Sequence, residues 1–315
     1  MGATIRDVAA RAGVSTSTVS RTFGRPEKVD ERTREAVLTA ARELGYAPNL
    51  AARSLVTGRR GQVGVLVPDL TNPFFAAVMR GAAAALNDLG AQALVGDFAD
   101  DPIREAELIQ SMRHHVDGFI LCSPRLDDGA LATLHAAVPL VLVNRTSPTI
   151  PFIHINNTSG IDQSVRHLRA LGHQRIGYAA GPEASRSARE RLAAFEQADG
   201  GPILGHFAST FEGGAQVADA ALAAGVTALL AYNDVVAIGA IHRLLGYDAA
   251  LPARMSIVGF DDIPIARMIT PALTTVAAPQ EATGAAAARL FMAGDEASRT
   301  LDVTLQVRGS TTLRR

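Results

Sequence analysis

The chain has 315 residues, 48% hydrophobic and 19% charged, which suits two or three compact units and excludes a disordered polymer. No apolar run reaches the ~18 residues of a membrane helix, and MGATIRDVAARAG carries charge where a signal peptide needs an apolar core, so a cytoplasmic protein with no membrane partner is expected. The net charge of −1 hides an asymmetry: residues 1–60 hold 11 Lys and Arg against 6 Asp and Glu, the remainder 19 against 25, so only a small basic head is suited to a polyanion.

Thr4-Ile5-Arg6-Asp7 is a helix start, with a hydroxyl cap and a carboxylate three residues on. Ile5, Val8, Ala9 and Ala12 then share one helical face, and Gly13 suits a left-handed turn. Ser15 caps a second helix from Thr16 to about Thr22, with Val14 and Val19 inward. Asp30 caps a third from Glu31 to Leu44, expected to bury Val37, Leu38, Ala41 and Leu44. A helix, a glycine turn and a second helix of Ser, Thr and Arg make the helix-turn-helix pattern, whose second helix enters the major groove of DNA. Ser15, Thr16, Ser17, Thr18, Ser20 and Arg21 all carry hydrogen-bonding groups for that purpose. Ser and Thr also serve as ordinary caps and solvated positions; the three-helix context and the local positive charge favour DNA. Pro48 and Gly58 then bracket NLAARSLVT, too short to be a stable helix alone and readable as a solvated linker.

From Gln62 the pattern changes to apolar strands (QVGVLVP, AQALVGD, GFILCS, PLVLVN, RIGYAA, ALLAY, SIVGF, TTVAA) alternating with helical runs. The runs are 74–89, 104–115, 160–171, 188–197, 217–224 and 235–245. Near-continuous apolar strands between amphipathic helices imply parallel sheets covered on both faces. One set lies before about Gly160 and one after it, giving two lobes with a ligand cleft beyond the strand ends. Polar groups at those ends are the site candidates: Asp69, Asn144, Asn233 and Asp261, with Phe74 and Phe75 opening a helix and Arg191 on another. Such amides, carboxylates and an arginine pair with sugar hydroxyls, and an aromatic face stacks on a sugar ring; Asn233 also reads as a plain helix cap. Cys122, the single cysteine, excludes an internal disulfide and reads as a buried strand residue. His114-His115 diverge on a helix, and His167 and His173 lack metal-ligand spacing, so neither a metal nor a cofactor is expected. GxSxG, P-loop, GxGxxG and HExxH motifs are all missing, so no catalytic residues are assigned and an enzyme is not expected. An exported binding protein would share the body, but the head and the charged N-terminus argue against it.

The stretches TIRDVAARAGVSTSTVSRTF and ELGYAPNLAARSL strongly resemble the head of lactose-repressor-type (LacI/GalR family) transcription regulators. VGVLVPDLTNPFFAAVMRG, HLRALGHQRIGYAAGP, ALLAYNDVVAIGA and SIVGFDDIPIA extend the resemblance over nearly the whole body. It implies an all-α helix-turn-helix head (1–47), a hinge helix or linker (48–60), and a two-lobed α/β core (61–315) with parallel sheets, like a periplasmic sugar-binding protein. It implies base reading by Thr16, Ser17 and Arg21, and a minor-groove wedge at Leu55. Thr4, Asn49, Ala52 and Arg53 complete the expected DNA-contacting set. The expected partners are a near-palindromic double-stranded operator, a second copy of the chain, and a small effector. The effector is expected to be sugar-like, with a nucleobase or phosphorylated sugar as alternatives. The chain ends at VRGSTTLRR without an added heptad helix, which favours a dimer. Two departures stand out: Ala194 replaces a usual glycine, and the stretch 197–214 is short, leaving Phe207 or Phe211 as the aromatic of the second lobe.

Overall fold

The computed structural model describes residues 3–24, 28–46, 60–247 and 250–314. The chain divides into two units, Met1–Gly61 and Gln62–Arg315.

In the first unit, helices α1 (Ile5–Ala12), α2 (Thr16–Gly24) and α3 (Glu31–Glu43) close around Val8, Ala9, Val19, Val37, Ala40 and Ala41. The Thr4 amide and hydroxyl both donate to Asp7 at 2.8 Å, fixing the first turn and holding that carboxyl below its ordinary range. Gly13 ends α1 at φ 66°, a conformation in which a Cβ is penalised. Asp30 caps α3 through the Thr33 amide at 3.0 Å. The third helix differs from its expected face. Leu38 and Leu44 stand 37% and 36% exposed, and Ala40 takes the inner position beside Ala41. A core this small is filled by valines and alanines, because three short helices leave little depth for larger side chains.

The second unit holds strands β1 (Gln62–Val67), β2 (Gln92–Asp97), β3 (Phe119–Cys122), β4 (Leu140–Val143), β5 (Phe152–Ile155), β6 (Ile176–Ala180), β7 (Ile203–His206), β8 (Ala228–Ala231), β9 (Ser256–Asp261), β10 (Thr274–Ala277), β11 (Arg299–Leu301) and β12 (Thr304–Gln306). One sheet has the order β11-β5-β4-β3-β1-β2 and the other β12-β10-β9-β8-β6-β7. Every pairing is parallel except β10 with β12. Central strands β3, β4, β6, β8 and β9 are buried throughout, which is why they read as continuous apolar runs. Burial pushes the Cys122 thiol in β3 up to about 12, so it stays protonated and unreactive.

The helices are α4 (Pro73–Asp88), α5 (Pro102–Met112), α6 (Asp128–Ala137), α7 (Asn157–Ala170), α8 (Arg186–Gln197), α9 (Phe211–Ala223), α10 (Asp234–Leu245) and α11 (Gln280–Ala293). Each lobe contains one helix pair in near backbone contact. A Cβ on Gly81 of α4 or Gly284 of α11 would run into the facing carbonyl of Glu281 or Val78. Gly214 of α9 and Gly239 of α10 face Val236 and Phe211 in the same way. Among the described residues no helix is long and apolar enough to cross a membrane.

The two lobes are not consecutive halves of the chain. The first crossing falls at Asn156, between β5 and α7. After β10 the chain returns to pack α11 on α4 and add β11 to the first sheet, then crosses at Asp302-Val303 into β12. The crossings are tied together: the Asn156 amide donates to the Leu301 carbonyl at 2.9 Å, and the Gln163 side chain bonds Val303 and Leu305. His173 is a buried structural residue here, its ring nitrogens facing Thr227, Ser256 and Thr312.

Candidate functional site

In the first unit the exposed face of α2 carries Thr16, Ser17, Ser20 and Arg21, while Val19 and Thr22 are buried beneath. The Ser15 hydroxyl accepts from the Thr18 amide at 3.1 Å and lies 2.7 Å from the Ser17 hydroxyl. Thr18 is half-buried with its hydroxyl 2.9 Å from that of Ser15, so it helps to hold the turn that presents the other four. Thr4 is exposed at the start of α1. Asn49, Ala52, Arg53 and Leu55 lie outside the described residues.

In the second unit a cavity of about 660 Å³ opens between the two sheets at the C-terminal ends of their strands. Asp69 follows β1, Asp97 ends β2, Ser123 follows β3 and Asn144 follows β4. Across the cleft, His206 ends β7, Asn233 follows β8 and Asp261 ends β9. Phe74 and Phe75 stand edge to face at 5.1 Å at the start of α4, and Arg191 projects from α8. All seven residues singled out from the sequence therefore line one cavity: Asp69, Phe74, Phe75, Asn144, Arg191, Asn233 and Asp261.

Their states differ. Arg191 is 3% exposed and fully engaged: it donates to Asn157 at 2.8 Å and to the Tyr232 carbonyl at 2.7 Å, and lies 3.5 Å from Asp261. Its guanidinium sits 3.5 Å above the centroid of the Phe260 ring. Asn157 is held in turn by Glu190 at 2.9 Å, and Glu190 faces His154 of the other lobe at 3.4 Å. Burial pushes Asp261 up to about 7 against the pull of Arg191, and burial followed by the neighbouring charge of Asp261 raises Asp234 well above the usual range. Asp234 lies behind the cleft, accepting from the Ile263 amide and the Thr275 hydroxyl. Asn233 uses both its polar atoms internally, capping α10 and donating to Ser209 at 2.7 Å. Asn144 is held at φ 57° with its side-chain oxygen buried and unpartnered, an acceptor in the cleft wall.

Sequence reasoning missed Asp97, Asp100, Ser123, Arg125, His206, Ser209, Thr210 and Tyr232, all lining residues. Asp97, Ser123, His206 and Tyr232 obey the strand-end rule that found the others; Arg125 and Asp100 come together only through the fold. The aromatic that the stretch 197–214 brings to the cleft is Phe207, while Phe211 is 41% exposed on α9, its ring 5.3 Å from that of His242.

Comparison with known proteins accounts for both units. The family model of the bacterial regulatory proteins of the lacI family matches residues 4–49, and a periplasmic binding protein-like domain matches 165–311. The HTH-type transcriptional repressor CytR of Escherichia coli (strain K12) is 34% identical over 330 aligned positions, covering 98% of this chain and 96% of its own. The chain belongs to the lacI family of bacterial regulatory proteins. As a lacI-family member it is a DNA-binding transcription regulator, and its relatives are regulators rather than enzymes. The Lac repressor dimer bound to operator and the anti-inducer ONPF is similar over 99% of this chain and 100% of its own, with a TM-score of 0.84 at 28% identity. A CelR–cellobiose complex covers 98% of this chain and 100% of its own, with a TM-score of 0.73 at 28% identity.

Proposed function

We propose that the protein is a repressor that binds a near-palindromic operator as a homodimer and is controlled by a sugar or sugar derivative in the cleft between its lobes. The observation that carries the effector half is the cavity itself: aromatic rings and polar groups from seven strand ends converge on one space of about 660 Å³. That volume suits a mono- or disaccharide. The cellobiose held by the similar CelR structure favours the same chemistry. The operator half rests on the exposed Thr16, Ser17, Ser20 and Arg21 of α2. A dimer is favoured by the Lac repressor neighbour, and exposed Leu70, Val95, Ile265 and Met268 supply apolar surface for it. Effector binding shifts lobe closure, and closure biases the pairing of two chains and the engagement of residues 48–58 with DNA. In that step Leu55 is the wedge in the minor groove, with Asn49, Ala52 and Arg53 beside it.

Selection of duplexes from a random library with the full chain tests the operator half. Two half-sites related by a two-fold axis are expected, with affinity falling steeply in salt. Arg21→Ala should cost about 1–3 kcal/mol and relax preference at one base pair per half-site. Enrichment of a single asymmetric site, or an unchanged preference in Arg21→Ala, would overturn the reading.

A further inference from the structure

Two arginines line the cleft, and each is already matched by a carboxylate. Arg191 faces Asp261. Arg125, its side chain 5% exposed, donates from Nε to Asp100 at 2.7 Å, places a second nitrogen 2.6 Å from the same oxygen, and donates its third to the Ser123 carbonyl at 2.6 Å. Asp100 reaches it from an unusual turn. Ala99 and Asp100 are successive non-glycine residues at φ 49° and 60°. Such residues persist in this region only where their surroundings over-determine them. Here the Ala99 amide donates to Asp97 at 2.7 Å, the Asp100 amide to the Pro68 carbonyl at 2.8 Å, and Asp101 caps α5 through the Ile103 amide. On the other side, buried Glu105 accepts the Arg125 and Leu126 amides and fixes the backbone that carries the guanidinium. A strained turn thus delivers a carboxylate to the place on Arg125 where a ligand anion would dock.

The other features that hold anions are closed as well. Among the described residues four helix N-termini reach the cleft, and each is capped by a side chain: Asn72 takes the Phe74 amide, Ser185 the Ala188 amide, Thr210 the Gly213 amide, and Asn233 the Val236 amide. Asp69 and Asp97 add two carboxylates with no arginine or lysine partner among the described residues. His206 lies 3.8 Å from Glu183 and 3.0 Å from the Gly181 carbonyl. Asn144 adds a side-chain oxygen that is buried in the cleft wall and has no partner among the described residues.

We propose that Asp100 is a specificity-determining residue: its carboxylate occupies Arg125 in place of a ligand phosphate, so the cleft admits uncharged, donor-rich polyols and rejects their phosphate esters. This rests on reading the cleft as a polyol site and narrows the effector class within it. Removing the internal carboxylate should turn Arg125 into an open anion site, since a guanidinium pairs with phosphate as readily as with carboxylate.

The test uses the full chain, titrated calorimetrically at low salt with inorganic phosphate, glucose 6-phosphate and ribose 5-phosphate beside glucose and ribose. Wild type is expected to show no saturable binding of the three phosphates at millimolar concentration. Asp100→Asn and Asp100→Ser should bind inorganic phosphate at least about tenfold more tightly than wild type, the size of one charge-assisted contact. Arg125→Gln added to either variant should abolish the gain. Asp100 is 40% exposed in its side chain, so both variants should fold, which circular dichroism checks. Wild type binding phosphate esters as tightly as the uncharged sugars would overturn the proposal, as would folded Asp100 variants that gain no phosphate affinity. If no uncharged sugar binds wild type, the polyol reading fails on its own, while the phosphate gain still reads the role of Asp100.

Discussion

Replacing Arg191 with leucine is expected to abolish sugar binding and to lower the stability of the 62–315 unit by about 3–5 kcal/mol at pH 8, the usual cost of stripping one partner from a buried ion pair. The guanidinium is 3% exposed and joins Asp261, the Tyr232 carbonyl and Asn157, so its loss leaves three acceptors without that donor, two of them on buried side chains. The cost should shrink at pH 5, where Asp261, already raised to about 7 with Arg191 beside it, takes up a proton and no longer presents a naked charge. Arg191→Lys should recover part of the stability and little of the binding, because an ammonium cannot serve three acceptors in one plane. Urea denaturation of the wild type and both variants at the two pH values measures this. Equal losses at pH 5 and pH 8 would show that the pairing with Asp261 is not the source of the effect.

The second large effect is a fall in stability as pH rises from about 4 through 7. Asp261 is raised to about 7 in the folded chain against an ordinary value of 3.8, and burial is the main cause. The folded state therefore holds a proton that the unfolded state has released. That contribution is full below about pH 4 and is lost as pH rises through 7. Asp234 is raised for the same reason and adds in the same direction. A shift of one unit is worth about 1.4 kcal/mol, so Asp261 alone should remove on the order of a few kcal/mol between pH 5 and pH 8. Exposed Asp128 and Asp219 are lowered by arginine partners and act oppositely, but their contribution is lost only in stronger acid. Asp261→Asn should flatten the slope above pH 5. Parallel stability curves for wild type and Asp261→Asn would refute the assignment.

Much of this molecule was legible because its signals are local. The capping residues Thr4, Ser15 and Asp30, the turn at Gly13 and the alternation of apolar strands with helices all act within a few residues. The rule that ligands gather beyond strand ends then placed Asp69, Asn144, Asn233 and Asp261 in one cavity without any contact being known. The elements that escaped are those whose pattern is weak. Helix α11, QEATGAAAARLFMA, has little apolar asymmetry because α4 approaches it at backbone distance, where alanine and glycine are the only fit. Strands β5, β7, β11 and β12 are short and lie toward sheet edges; β5 alternates buried and half-buried residues, and no residue of the other three is buried. Arg125 and Asp100 are separated by 25 positions, and each alone reads as a solvated loop residue. The return of the chain to its first lobe after β10, where β11 joins β5, has no local sequence mark.

The most direct measurement is the coupling between the two sites of the full chain. Operator affinity is measured by fluorescence anisotropy with and without the sugar that binds the cleft most tightly, and sugar affinity with and without operator. A single factor of about 5–150-fold should appear in both comparisons, because linkage makes the coupling reciprocal. Unchanged affinities in both directions would contradict control of the DNA-reading head by a ligand in the cleft.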